Sequence, residues 1–198
     1  ITGVDLVEQM ICVAYGEKLS MTQDDVTLTG WAMESRLYAE DPYRGFLPSI
    51  GRLTTYRPPS DVAAGPMVTN GKWQGDAAIG KHAVRNDTGV YDGGEISMYY
   101  DPMIAKLCTW APTRAEATEE MRHALASFDV ARIGHNILFL TPVYDHSQLT
   151  SGNITTAFLE AAFPDCFTRG TLPAAAPYRT RPYSVLVFPL LGPLALTI

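Results

Sequence analysis

The sequence predicts an α+β fold in which an antiparallel sheet packs against helices. Segments that alternate apolar and polar residues with the period of a strand come mostly before the clearest helical patterns. This order lacks the regular alternation of strand and helix that indicates a parallel sheet. Apolar residues make up 46% and charged residues 18% of the 198 residues, a balance typical of a globular chain that buries a sizeable core.

The chain opens with the pattern of an amphipathic helix. Thr2 is the predicted N-cap because Asp5 follows three residues later, as in a capping box, and Gly16 marks the end of the helix. One face of this helix carries Val7, Met10, Ile11 and Ala14. A helix with such a stripe must pack on another surface, and we expect part of that surface to lie upstream of Ile1.

A long strand is predicted from Val26 to Tyr38. Glu34 and Arg36 project from the same face of this strand, because alternate residues point to the same side. The opposite face carries Trp31, Met33 and Leu37. A pair of opposite charges on a strand is either a structural ion pair or the floor of a site. The pattern alone favours the structural pair and leaves the site open.

The remaining elements follow from shorter patterns. Strands are predicted at Leu53–Tyr56, Glu95–Tyr100 and Ile104–Trp110. The clearest helix follows Thr113, which forms a capping box with Glu116. The buried stripe predicted for this helix comprises Ala117, Met121, Ala124, Leu125 and Phe128. Further predicted segments are helices near Asn136–Tyr144 and Thr155–Phe163 and a surface excursion at Pro58–Gly80.

Charge and motif content argue against several classes of function. The net charge is −6 and the basic residues are scattered, whereas nucleic-acid binding needs clustered cations. No metal site is predicted, because Cys12, Cys108 and Cys166 lack zinc-ligand spacing; they are interpreted as thiols in a reducing compartment. Generic catalytic motifs are absent, and the glycine-rich NDTGVYDGG is interpreted as a turn.

Neither end of the chain predicts a targeting segment. The opening residues lack the charged and apolar regions of a signal peptide. Residues 183–198 are strongly apolar, but they are fewer than the roughly twenty that a membrane helix needs, and they contain Pro189 and Pro193. No membrane span is therefore predicted.

Several stretches resemble biotin carboxylases, most closely the alpha subunits of bacterial propionyl-CoA carboxylases. The principal stretches are ITGVDLVEQMI at 1–11, GWAMESRLYAEDP at 30–42, FLPSIGRLTTY at 46–56 and EISMYYDPMIAKL at 95–107. Two later stretches, GHNILFL at 134–140 and GNITTAFL at 152–159, fit the subunits that act on acyl-CoA. The resemblance covers residues 1–168, as a biotin carboxylase C-terminal domain, and leaves residues 169–198 unmatched.

The resemblance implies a ligase that uses ATP and bicarbonate to carboxylate biotin. Such an enzyme needs Mg or Mn, works with a biotin carrier domain and a carboxyltransferase beta subunit, and forms a homodimer through this lobe. In the family most ATP and metal ligands come just before the ITGVDL segment, so ATP ligands are expected upstream of Ile1. The chain is therefore expected to be an inactive fragment of a cytoplasmic bacterial or mitochondrial matrix enzyme.

Arg36 is the catalytic and substrate-binding candidate that the resemblance implies. It matches the arginine that contacts the biotin ureido oxygen and bicarbonate, where a guanidinium can stabilise an oxyanion. Glu34 and Asp101 are the residues expected to orient it, and Arg85 lies near the family's dimer contact. Ser35 replaces a cysteine common in the family, a change expected to be tolerated.

The sequence leaves two alternatives open. The chain could serve as a non-catalytic dimerisation or assembly module, or it could derive from an acetyl-CoA or methylcrotonyl-CoA carboxylase. The unmatched tail, residues 169–198, is interpreted as non-native or disordered sequence, with a short hydrophobic anchor as the alternative.

Overall fold

The computed structural model describes residues 1–62 and 82–164 of the chain. Within these residues short antiparallel sheets pack against helices, which confirms the predicted α+β class. Most of the predicted surface excursion and the whole unmatched tail lie outside the described residues.

The described chain contains five α-helices and nine strands. The helices are α1 (Leu6–Ala14), α2 (Arg114–Ser127), α3 (Ile137–Asp145), α4 (Ser147–Ser151) and α5 (Phe158–Ala162). The strands of the first half are β1 (Trp31–Tyr38), β2 (Glu40–Asp41), β3 (Leu47–Pro48), β4 (Gly51–Arg52) and β5 (Thr55–Arg57). The later strands are β6 (Ala83–Thr88), β7 (Glu95–Ile96), β8 (Met103–Ala111) and β9 (Asp129–Ala131).

A three-stranded antiparallel sheet in the order β1-β8-β6 organises the fold. In its register Glu34 lies opposite Cys108 and Arg36 lies opposite Lys106. Lys106 in turn lies opposite Asp87 on the other side of β8. Among the described strands β1 pairs only with β8, so its other edge is open to helices rather than to another strand.

The core lies between this sheet and α2. Fully or nearly fully buried side chains include Leu37, Ile104, Leu107, Met121 and Leu125. Along β8 every second residue from Ala105 to Ala111 is buried, because a strand that packs on one side buries alternate residues, and Ile104 is buried as well where the register with β1 shifts. Burial of each such side chain contributes about 1.5–3 kcal/mol to stability. This core fixes the side of β1 that must face solvent.

The α2 prediction is confirmed in detail. Thr113 is the N-cap, Glu116 completes the capping box, and the buried residues include Ala117, Met121, Ala124 and Leu125. Phe128 is the C-cap residue and is partly buried against the same core. Local sequence was sufficient here because both the cap and the stripe lie within one helix.

The boundaries of α1 and β1 differ from the predicted ones. Asp5, not Thr2, caps α1, because the Asp5 carboxylate accepts hydrogen bonds from the backbone N–H groups of Val7 and Glu8. The β1 strand begins at Trp31, because the preceding residues form a short 3₁₀ turn, Gln23–Asp25, and a non-strand connection.

Two later predictions also need correction. The strand predicted at Glu95–Tyr100 ends at Ile96, because the Ser97 hydroxyl accepts the backbone N–H of Tyr99 and turns the chain. The helix predicted at Thr155–Phe163 is the shorter α5, and α4 was not predicted.

Candidate functional site

The solvent side of the three-stranded sheet carries a group of polar residues that we call the polar face. Its members come from alternate positions of all three strands and are Glu34, Arg36, Arg85, Asp87, Lys106 and Cys108. Three of these side chains are cationic and two are anionic at neutral pH. The polar face can therefore attract an anion.

Arg36 is the cation of the pair predicted on β1. Its side chain is 58% exposed, and its Nε donates a hydrogen bond to Glu34 Oε1 at 3.3 Å. A hydrogen bond with Tyr38, followed by the one with Glu34, raises the pKa of Arg36 above its usual value. A guanidinium has five N–H donors, so an Arg36 that uses Nε for Glu34 can still bind an anionic oxygen.

The neighbouring strands add charges that the sequence did not place beside Arg36. Lys106 lies directly opposite it on β8, and on β6 Arg85 is paired with Asp87 at 3.0 Å. The alternation of residues 104–110 could have put Lys106 on the exposed side of its strand. That Lys106 lies opposite Arg36 could not be predicted from the sequence, because the register of the two strands depends on contacts distant in sequence.

Cys108 lies among these charges, but its electrostatics do not suit a nucleophile. Burial raises the pKa of the Cys108 thiol, and the carboxylates of Glu34 and Asp87 add to the rise while Arg85 opposes it. The thiolate is the nucleophilic form of cysteine. Cys108 is therefore a protonated thiol at neutral pH.

Asp101 lies outside the polar face. It sits in the turn before β8, where its Oδ1 accepts the backbone N–H of Met103 at 2.9 Å. Its charge also acts on Glu40, whose pKa is raised first by burial and then by Asp101. No ion pair or hydrogen bond joins Asp101 to Arg36 in the described part of the chain, so of the two residues expected to orient Arg36 only Glu34 contacts it there.

No donor set for a resident metal was found in the part of the chain that the structure describes. Across residues 1–62 and 82–164 no group of three or more His, Cys, Asp or Glu side chains is arranged to hold a metal ion. No helix within those ranges is long and apolar enough to cross a membrane.

Comparison with known proteins assigns the family. Residues 34–161 match the biotin carboxylase C-terminal domain. The chain belongs to this family. It is also 71% identical over 173 residues to the propionyl-CoA carboxylase alpha chain of Ruegeria pomeroyi, an alignment that covers 87% of this chain and 25% of that protein. The resemblance predicted from the sequence is thereby confirmed.

Solved structures agree with this assignment. The biotin carboxylase subunit of pyruvate carboxylase superposes with a TM-score of 0.69 at 34% identity, covering 83% of this chain and 32% of that one. The biotin carboxylase domain of a thermophilic 2-oxoglutarate carboxylase, bound to bicarbonate, gives a TM-score of 0.68 at 34% identity, with 81% and 32% covered. The chain spans about a quarter of the curated relative and about a third of these structures.

Proposed function

We propose that the chain forms part of the biotin- and bicarbonate-binding site of a propionyl-CoA carboxylase. The observation that carries the proposal is the exposed Arg36 guanidinium, held by Glu34 on a face that Lys106 makes more cationic. The likeness to the Ruegeria pomeroyi alpha chain supports propionyl-CoA, rather than acetyl-CoA or methylcrotonyl-CoA, as the acceptor of the complete enzyme.

The chemistry proposed for Arg36 is the stabilisation of negative charge on oxygen. Bicarbonate is an anion, and the ureido oxygen of biotin gains negative charge when the ring nitrogen loses its proton. A fixed guanidinium close to these oxygens lowers the energy of bound bicarbonate and of deprotonated biotin, and it stays protonated itself. Glu34 keeps the guanidinium in place through the Nε hydrogen bond at 3.3 Å.

The complete enzyme is proposed to use ATP with Mg or Mn, a biotin carrier domain and a carboxyltransferase beta subunit. ATP would activate bicarbonate as a carboxyl phosphate. The described residues supply no metal-ligand set, so no step of that activation is assigned to them. We propose a bacterial cytoplasmic or mitochondrial matrix enzyme, and we expect the 198-residue chain alone to show no bicarbonate- and biotin-dependent ATP hydrolysis.

A chimera tests the role of Arg36. Residues 1–168 replace the matching segment of the Ruegeria pomeroyi alpha chain, and carboxylation of free biotin is measured together with ATP hydrolysis. Arg36→Ala should lower kcat by about 10²–10³-fold, the loss typical of one oxyanion donor. Arg36→Lys should recover only part of the rate, because lysine keeps the charge and loses the planar fork.

The matched control is Arg52→Ala. Arg52 is also an exposed arginine beside a carboxylate, with Arg52 Nη2 at 3.9 Å from Glu95 Oε2, but it belongs to the separate β4–β7 pair. This variant should carboxylate biotin at the unaltered rate. Equal rates for Arg36→Ala and Arg52→Ala would contradict the proposed site.

An assembly role remains the second candidate. The polar face includes the Arg85–Asp87 pair, which lies on the outer strand of the sheet and could contact another subunit. Light scattering of the chimera separates the two candidates. The site proposal expects Arg36→Ala to keep the assembly and lose carboxylation, whereas the assembly proposal expects altered mass and little change in the rate per assembled subunit.

A further inference from the structure

Within the described residues the open edge of β1 is covered by the side chains of Asn136, which precedes α3, and Tyr144 of α3 rather than by another strand. In an antiparallel strand every second residue turns its backbone N–H and C=O toward the same edge. On the open edge of β1 these residues are Glu34, Arg36 and Tyr38, because their carbonyl or amide groups bond outside the β1–β8 ladder. Glu34 and Arg36 also belong to the polar face through their side chains.

Asn136 satisfies most of this edge. Its Oδ1 accepts the backbone N–H of Tyr38 at 2.9 Å, and its Nδ2 donates to the backbone carbonyl of Arg36 at 3.1 Å. The backbone N–H of Asn136 also donates to the carbonyl of Tyr38 at 3.1 Å. Asn136 therefore takes the place that a neighbouring strand would occupy along the open edge, and it bonds to both ends of the Arg36–Tyr38 segment.

The position of Asn136 makes this use of its amide unusual. Asn136 is the N-cap of α3, where an asparagine side chain ordinarily accepts a hydrogen bond from the first turn of its own helix. Here the side chain makes no capping hydrogen bond. The residue is buried, so its amide must find partners within the protein, and it finds them on β1.

Tyr144 anchors the same strand from the other end of α3. Its hydroxyl lies 2.7 Å from the Ser35 hydroxyl, a buried contact, and it donates a longer hydrogen bond of 3.5 Å to the Glu34 carbonyl. Burial raises the pKa of Tyr144, so the hydroxyl keeps its proton. These contacts hold the strand one residue before Arg36, from the side opposite to the polar face.

We infer that Asn136 is a positioning residue for Arg36, with Tyr144 as a second anchor of the same strand. The inference rests on the proposed function of Arg36. Asn136 does not reach the polar face through its own side chain; it acts by fixing the backbone from which Arg36 projects. An arginine that must meet an anion with its planar fork tolerates little displacement, since a shift of about 1 Å can cost about 10²-fold in rate.

The test uses the chimera defined above and compares Asn136→Ala with Thr113→Ala. Thr113 is the N-cap of α2, so its loss also weakens a helix start, but its side chain hydrogen-bonds to Glu116 of its own helix and not to β1. Asn136→Ala should lower kcat for biotin carboxylation by about 10- to 100-fold and raise the KM for bicarbonate, with the KM for ATP unchanged. Thr113→Ala should leave all three constants unaltered.

A second variant covers the case in which Asn136→Ala fails to fold. Asn136→Asp keeps an acceptor for the Tyr38 N–H and keeps a residue suited to the N-cap, but it loses the donor to the Arg36 carbonyl. It should show the same selective loss of carboxylation. Tyr144→Phe, which keeps the ring, should show a smaller loss.

The double variant Arg36→Ala/Asn136→Ala decides whether Asn136 acts through Arg36. If it does, the double variant carboxylates biotin no more slowly than Arg36→Ala alone. Losses that multiply would overturn the inference, as would Asn136 variants that match Thr113→Ala. An Arg36→Ala chimera with the unaltered rate would instead overturn the proposed function, so the two failures are distinguishable.

Discussion

Helices α1 and α2 have the same kind of sequence pattern but lie in opposite environments. Each has an apolar stripe, and each begins at a residue whose side chain caps the first turn, Asp5 in α1 and Thr113 in α2. The α2 stripe is buried in the core, with Met121 fully enclosed, whereas no residue of α1 is buried and Met10 is 70% exposed. Periodicity therefore predicts that a helix forms, but not what covers it.

The difference in burial between the two helices also predicts that α1 is the less stable of the two. A nine-residue helix such as α1 is marginal in water unless another surface packs on it. The exposed stripe of α1 is where the sequence predicts a partner surface upstream of Ile1, and that expectation stays a prediction. Helix α2 is longer and gains most of its stability from the core.

The largest expected effect comes from truncating matched methionines. In the 198-residue chain Met121→Ala should lower the free energy of unfolding by about 2–5 kcal/mol, because it leaves a cavity in the core. Met10→Ala should change it by less than about 0.5 kcal/mol, since that side chain is exposed. Urea denaturation followed by circular dichroism measures both. Comparable losses for the two variants would mean that α1 is packed after all.

A smaller effect is expected when α1 is given upstream sequence. In the chimera, the Ruegeria pomeroyi segment precedes residue 1 and could supply the surface that α1 lacks. Burial of Met10 there should raise the free energy of local opening by about 1.5–3 kcal/mol. Hydrogen exchange of the α1 amides, compared between chimera and isolated chain, measures the change. Equally fast exchange in both proteins would contradict the prediction.

Removal of the two N-cap side chains should give a smaller difference in stability than the methionine variants. Thr113→Ala removes a capping box from a helix that belongs to the core, and it should cost about 1 kcal/mol of global stability. Asp5→Ala removes the carboxylate that accepts two backbone N–H groups of α1, but α1 can open without the core, so the loss should appear in local hydrogen exchange only. A global loss for Asp5→Ala that equals the one for Thr113→Ala would contradict this separation.

Local signals explain which parts of the fold could be predicted. The capping box of Thr113 and Glu116 and the stripe that includes Met121 lie within one helix, so the sequence was sufficient to place α2. The alternation around Glu34 and Arg36 likewise placed both residues on one face of the strand, and the structure confirms this arrangement and shows both side chains exposed.

The parts that were missed depend on distant contacts. Lys106 lies beside Arg36 only because of the β1–β8 register, which no local pattern encodes. Asn136 was predicted only as the start of a helix, yet its side chain bonds to backbone groups about a hundred residues earlier. An asparagine at a predicted helix start was the available signal, and it does not indicate which strand the side chain bonds to.

The smallest expected effect concerns Asp25, in the 3₁₀ turn that connects α1 to β1. The backbone N–H and then the hydroxyl of Thr22 lower the pKa of Asp25 below its usual value of 3.8. Because the folded pKa is depressed, this stabilisation is present above the usual Asp pKa and is lost as pH falls through the folded pKa. NMR titration of the Thr22 amide should report a midpoint below 3.8, and Asp25→Asn should abolish that titration step. A midpoint at or above 3.8 would show that this turn is not formed, and the connection leading into β1 would then be as loosely held as α1 itself.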